Sequence, residues 1–150
     1  MRNIYLGLTA LSFCLFLAGC RFNATRTGQL SDKSDGDAVA NKLFSALSDH
    51  DYSRADKLFG EEFFKATPLD SLHHIFDMTT KKLGGFKSNK LLDWNTSEIS
   101  GTDERTEYLF VYEVEYEKYS AKETIRMLKK ADEDDIKILR YDIDSQGFIK

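Results

Sequence analysis

Two side chains in this 150-residue chain stand out for their chemistry, the thiol of Cys20 and the carboxylate of Glu123. A cysteine becomes a nucleophile when its thiol is deprotonated. Glu123 lies in a part of the chain rich in phenols, with Tyr112 and Tyr116 before it and Tyr141 after it. A carboxylate surrounded by aromatic rings keeps its proton to higher pH than one in water, and can then act as a base or an acid near neutrality. The histidines are His50, His73 and His74. His73 and Asp77 stand i, i+4 on one helical face and could meet. A metal needs three or four convergent ligands, so no metal site is expected. There is no glycine-rich phosphate loop and no serine- or cysteine-based nucleophile arrangement, so no cofactor is expected and no catalytic residue is assigned.

Cys20 ends an apolar run. Met1-Arg2-Asn3 carries one positive charge, Ile4 to Leu17 is mostly apolar, and small residues precede the cysteine. That is the order of a secretory signal. The run of about 14 residues is shorter than the roughly 20 that a spanning helix needs. Leu17-Ala18-Gly19-Cys20 resembles the lipobox of bacterial lipoproteins. The resemblance implies diacylglycerol on the Cys20 thiol, cleavage between Gly19 and Cys20, and acylation of the new N-terminus. Two or more acyl chains anchor a protein stably where one does not. The expected location is therefore the exported side of a cell membrane or outer membrane, held by the lipid on Cys20.

Of the two cysteines, Cys14 leaves with residues 1–19 and Cys20 is consumed by lipid. The mature chain then has no disulfide and must hold itself together by burial. Cleavage removes Arg2 and no acidic residue, taking the formal charge from −4 to −5. No cluster of Lys and Arg is present to contact phosphates, so nucleic acid is not an expected partner. Arg21 to Gly36 is polar and reads as a tether, since it carries too little apolar surface to order itself. A flexible coil of about 16 residues spans roughly 22 Å. Residues 37–150 remain as one domain.

Its first part reads as three helices. Val39, Leu43, Phe44 and Leu47 make one helical face over 37–49, with Asp35 or Asp37 at its start. Tyr52, Ala55, Leu58/Phe59 and Phe63 make a second over 52–64. Gly60 weakens it and leaves room for an early end, with a short extended piece at Phe63-Phe64-Lys65. In Thr67-Pro68-Leu69-Asp70, Thr caps a third helix, Pro takes its first position and Asp reaches back. Gly84-Gly85 ends it.

From Phe86 the period changes to two and predicts a four-stranded meander. Its strands are 86–99, with Leu92, Trp94 and Thr96 in phase, then 104–117, 121–131 and 136–145. Tyr108, Phe110, Tyr112, Val114 and Tyr116 share one face of the second strand. Pairing Glu117 with Ser120 sets Glu115 opposite Lys122, Tyr112 opposite Ile125 and Phe110 opposite Met127, and puts Glu123 on the inner face. A β-bulge near Leu139-Arg140 brings Ile136 and Ile138 onto one face with Tyr141 and Ile143. The acidic tip 132–135 lacks the spacing and glycine of a calcium loop and reads as a solvated turn.

Three helices packed on a curved four-stranded antiparallel sheet make an α+β domain. The order Phe44, Leu47, Tyr52, Ala55 and Phe59, then Leu83-Gly84 into Phe86-Lys87-Ser88, the strand Tyr112-Glu113-Val114-Glu115-Tyr116, Ala121 to Ile125 and Ile136 to Ile143 resembles the nuclear transport factor 2-like, or cystatin-like, superfamily. It is similar in particular to small secreted or lipoprotein domains within it. The resemblance implies a cone whose open end gathers Trp94, Tyr112, Tyr116, Glu123 and Tyr141 into a candidate pocket. Relatives of that shape include isomerases, dehydratases and binding modules, so fold alone does not set function. The expected function is a membrane-anchored module binding an envelope protein, a peptide or a small apolar ligand. The alternatives are an isomerase- or lyase-like enzyme using Glu123, and a purely structural envelope protein.

Overall fold

The computed structural model describes residues 24–150. The apolar leader, the Gly19–Cys20 junction and Cys20 lie outside the described residues. The domain is α+β, with four helices rather than three and five strands rather than four. These are β1 (Ala24–Thr27), α1 (Leu30–Ser48), α2 (Tyr52–Asp56), α3 (Glu61–Ala66), α4 (Leu69–Leu83), β2 (Phe86–Ser100), β3 (Arg105–Tyr116), β4 (Ser120–Lys130) and β5 (Lys137–Asp144). A 3₁₀ turn over Gln146–Phe148 follows. The strands form one open antiparallel sheet in chain order. Among the described residues no helix is long and apolar enough to cross a membrane.

The helices cover one face of the sheet. Tyr108, Phe110, Tyr112, Val114 and Tyr116 all point into that face and are buried, while Glu107, Glu113 and Glu115 between them are exposed. This is the alternation that the sequence predicts. Leu43, Phe44, Leu72, Leu83, Ile125 and Ile138 complete the centre of the core. Each such side chain contributes about 1.5–3 kcal/mol by leaving water.

The polar stretch expected as a tether is ordered over most of its length. Ala24 to Thr27 add a fifth strand by pairing with Ser97 to Ser100, and Arg26 meets Glu98 at 2.9 Å. Gly28 turns the chain at φ 70°, its N–H donating to the Thr96 carbonyl at 3.0 Å. Helix α1 then starts at Leu30, seven residues before the expected 37. Asp35 and Asp37 are therefore interior to the helix rather than at its start. Order extends this far because backbone pairing needs no apolar side chain, and because Gly36 has no side chain at all. A Cβ on Gly36 would sit 2.6 Å from the Phe110 ring and 3.0 Å from that of Tyr108. The missing methyl lets α1 lie directly on the sheet.

Other boundaries shift for similar reasons. Helix α2 lasts five residues, capped by the Asp51 carboxylate accepting the Arg54 N–H at 3.1 Å. The extended piece falls at Leu58 to Gly60 rather than at 63–65. Phe59 bridges Ile138 in parallel, with Ile138 N–H donating to Leu58 and Gly60 N–H donating to Ile138. Phe63 to Lys65 are helical in α3. At α4, Thr67 makes no side-chain cap and Pro68 is the flanking residue. Gly84 ends α4 at φ 91°, as expected.

The β3–β4 register differs from the expected one by two residues. Glu115 pairs with Ser120, Glu113 with Lys122, Tyr112 with Glu123 and Phe110 with Ile125. An even slip keeps every side chain on its face. Its cause is that Glu117 and Lys118 are held elsewhere, as shown below. In β2 the register skips Leu92, which is half exposed, so Leu91 and not Leu92 shares the inner phase with Trp94 and Thr96. The bulge expected near Leu139-Arg140 is present. Arg126 pairs with Arg140 and Met127 with Ile138, leaving Leu139 over.

Replacing Gly36 by valine should cost about 2 kcal/mol or more, because the branched side chain would overlap a packed ring. Urea unfolding monitored by circular dichroism measures it. A spacer at this position would make the substitution neutral.

Candidate functional site

The end of α4 and the β3–β4 turn set the geometry of the site. The last carbonyls of a helix lack internal partners. Here Lys118 N–H donates to the Leu83 carbonyl at 2.8 Å, and the Lys118 ammonium donates to the Lys81 carbonyl at 3.2 Å. Glu117 N–H donates to the Gly85 carbonyl at 3.0 Å, and its carboxylate accepts the Gly85 N–H at 3.1 Å. A Cβ on Gly84 would lie 2.7 Å from that of Glu117, so glycine is needed for the approach as well as for the positive φ. With Glu117 and Lys118 committed, the turn widens and β4 enters the sheet at Ser120.

That register sets Glu123 between Tyr112 on β3 and Ile143 on β5. Its side chain is 0% exposed. Tyr116 donates to one carboxylate oxygen at 2.5 Å, and Tyr141 donates to the other. Burial pushes the Glu123 carboxyl up from 4.5 to about 7, while the two phenol bonds pull it down in part. Burial, reinforced by the Glu123 charge, raises both phenols well above their usual range, so Tyr116 and Tyr141 keep their protons. Glu123 is the one member of this trio that titrates near neutrality.

The two states of Glu123 place hydrogens differently. When ionised, the carboxylate accepts from both phenols. When protonated, it has a hydrogen of its own to place, and the neighbouring phenol oxygens are the acceptors at hand. The phenol that accepts it must turn its own O–H elsewhere.

A cavity of about 90 Å³ lies beside the trio. Tyr116, Tyr141, Tyr52, Phe76, Phe86 and Ile143 supply its rings and apolar wall, and Ser48, His50, Thr79 and Thr80 its polar edge. Glu123 does not border it. A molecule in the cavity touches the phenols, and meets the carboxylate only through them. Tyr52 is fixed by donating to Asp77 at 2.8 Å, and burial first, then that bond, push its phenol up to about 12. His50 stands at the rim with φ 54°. It occupies the left-handed position that ends α1: its N–H donates to Leu47 and that of Asp51 to Ala46. Glycine usually fills that position. A residue other than glycine there carries strain of about 1–2 kcal/mol.

Of the five side chains expected to converge, three do: Tyr116, Glu123 and Tyr141. Tyr112 lies beside Glu123 in the sheet but sends its hydroxyl to Asp37 on α1, at 2.6 Å. Burial first, and then that bond, raise its phenol well above the usual range. Trp94 is further down the sheet opposite Phe110, under Lys33 of α1, whose ammonium is 5.9 Å from the ring. It takes no part in the site. His73 does not meet Asp77; it bonds Asp56 at 2.9 Å, because Asp77 is taken by Tyr52. Among the described residues no three His, Cys, Asp or Glu side chains gather as metal ligands. The cavity walls from α1, α2 and α4 escape a sequence reading, since nothing in a helical stripe says which residue rims a gap.

Fold and site define an α+β helix-on-sheet domain with a sealed tyrosine–glutamate–tyrosine cluster beside a small aromatic cavity. Compared with protein-family models, with curated proteins and with solved structures, the chain matches none.

The raised carboxyl makes stability depend on pH. Below 4.5 folded and unfolded chains both carry the proton. Between 4.5 and 7 the unfolded chain ionises while the folded one does not, so stability falls as pH rises. Above 7 the full cost is about 3 kcal/mol. Glu123→Gln removes the titrating group. Denaturation midpoints measured from pH 4.5 to 8 should flatten over that window relative to wild type. An unchanged slope would assign the pH dependence to other groups.

Proposed function

We propose that this chain is an exported bacterial lipoprotein, anchored by lipid on Cys20, whose nuclear transport factor 2-like domain is a binding module. Its ligand presents one small, mostly apolar group to the aromatic cavity, either the end of a small molecule or one side chain of an envelope peptide or protein. The observation that carries this reading is the cavity of about 90 Å³ walled by Tyr116 and Tyr141, with both hydroxyls fixed from behind by Glu123. Ligand pockets for whole drug-sized molecules run to about 300–1,000 Å³, so this one suits part of a ligand. Rings form a rigid apolar wall that loses little entropy on binding. The polar edge of Ser48, His50, Thr79 and Thr80 offers a contact for orientation.

The isomerase- or lyase-like alternative asks Glu123 to touch substrate. Its full burial, its two occupied oxygens and its absence from the cavity wall favour the binding reading.

The anchor is tested by the intact mass of the protein from bacterial membranes. It should begin at Cys20 and carry acyl mass, and Cys20→Ser should accumulate unprocessed. An unmodified wild-type chain would overturn the anchor.

The cavity is tested by native mass spectrometry of the detergent-extracted protein. A small adduct should appear and be lost in Thr80→Phe, which fills the cavity. A wild-type protein that emerges free of adduct, and whose unfolding midpoint does not move with millimolar indole, would overturn the binding reading.

A further inference from the structure

We infer that the domain stands on the bilayer on its β2–β3 and β4–β5 hairpin tips, with the aromatic cavity at the opposite end, open to the aqueous compartment. The inference rests on the lipid anchor proposed above and deepens it.

The argument is one of reach. Three residues separate Cys20 from Ala24, and a fully extended chain covers at most about 14 Å over those four steps. Ala24 pairs with Ser100, the last residue of β2. The lipid is therefore tied to the end of the sheet that carries the 101–104 turn. The second tip is at the same end: Arg105 pairs with Lys130, and Ala131 N–H donates to Glu104 at 3.1 Å just before the 131–136 turn. Were residues 21–36 a coil, the anchor could lie almost anywhere around the domain. The pairing of β1 removes that freedom.

The cavity is at the other end. Its wall includes Phe86, Gly85 and Tyr116, and Phe86 pairs with Tyr116 at the far limit of the sheet. The twelve residues of β3 separate the two ends. At about 3.3 Å for each step from Arg105 to Tyr116 this is roughly 36 Å.

Charge favours standing over insertion. The tips carry Asp103, Glu104, Asp132, Glu133, Asp134 and Asp135, with Lys130, Arg105 and Lys137 paired against some of them. Carboxylates at the tips gain nothing from entering anionic headgroups. The lipid chains hold the domain while the tips rest against the surface. A ligand then reaches the cavity from solution or from a partner facing the bilayer, and not by leaving the lipid beneath.

Single thiols can report this orientation, because Cys14 leaves with the signal and Cys20 is blocked by its thioether. Thr102→Cys, Asp134→Cys and Lys87→Cys, all at exposed positions, would be labelled with a fluorophore in the lipidated full-length protein. The protein would be reconstituted in vesicles of phosphatidylethanolamine and phosphatidylglycerol containing headgroup-nitroxide lipid. Quenching at the two tips should exceed that at Lys87→Cys several-fold. Equal quenching at all three would mean a domain lying flat, and stronger quenching at Lys87→Cys an inverted one; either overturns the orientation while leaving the anchor intact. A wild-type chain found wholly in the buffer, like the Cys20→Ser control, would overturn the anchor and the orientation with it.

Discussion

The hold of Glu117 and Lys118 on the end of α4 decides the rest of the geometry. It satisfies the carbonyls of Lys81 and Leu83, and it draws Glu117 against Gly84 and Gly85. One set of bonds thus joins the helical layer to the sheet and spends two residues that would otherwise extend the β3–β4 ladder. With those residues spent, Glu115 meets Ser120, and Glu123 arrives opposite Tyr112 with Tyr116 and Tyr141 in reach. A register two residues different would keep the same faces, yet it would set Glu123 opposite Val114. The buried cluster is a consequence of how a helix end is capped.

Burying a carboxylate is expensive, and the fold offsets the cost locally. An unpaired buried charge costs several kcal/mol. Two phenol donors recover part of it, and the rise to about 7 shows that burial still outweighs them. The same pairing recurs in milder form where Tyr112 meets Asp37 and Tyr52 meets Asp77. In those two pairs the carboxylate comes from a helix and the phenol from across a packing boundary. Each bond fixes how one layer sits against another, which apolar contact alone does poorly because it has no direction. Leucine or phenylalanine at position 123 would remove the charge, but it would also release the hydroxyls of Tyr116 and Tyr141, two residues whose rings wall the cavity.

Much of this was legible in the sequence. The inner face of β3, the glycine end of α4, the bulge near Leu139 and the inward side of Glu123 all follow from periodicity and residue type. What escaped was non-local. The period of a strand names its faces but not its register when the next turn is engaged elsewhere, as with Glu117. Composition made 21–36 look like coil, although β1 is held by backbone bonds and α1 by the absence of a side chain at Gly36. Neither leaves an apolar signature. Trp94 failed as a pocket residue because the register skips Leu92 and the sheet carries the ring towards the start of α1. Tyr112 failed because Asp37, taken for a helix start, is interior to α1 and claims its hydroxyl.

The ordered β1 also changes what the N-terminal segment can do mechanically. A flexible spacer lets a domain sample many orientations above a membrane, and effective concentration near any partner spreads over that whole volume. With the lipid anchor proposed above, a strand paired at Ser97–Ser100 would transmit the direction of that anchor into the sheet, and the sheet's length would determine the height of its far end. The sealed Glu123 trio and the aromatic gap lie at that far end. The residues at the end of the sheet where Ala24 pairs are solvated acidic turns with ordinary ion pairs. A domain built to insert into the bilayer would show the opposite distribution, with aromatic and apolar side chains at the tips nearest Ala24. With the proposed anchor, this distribution would give the membrane the role of a fixed floor and leave recognition to the end that faces away from it.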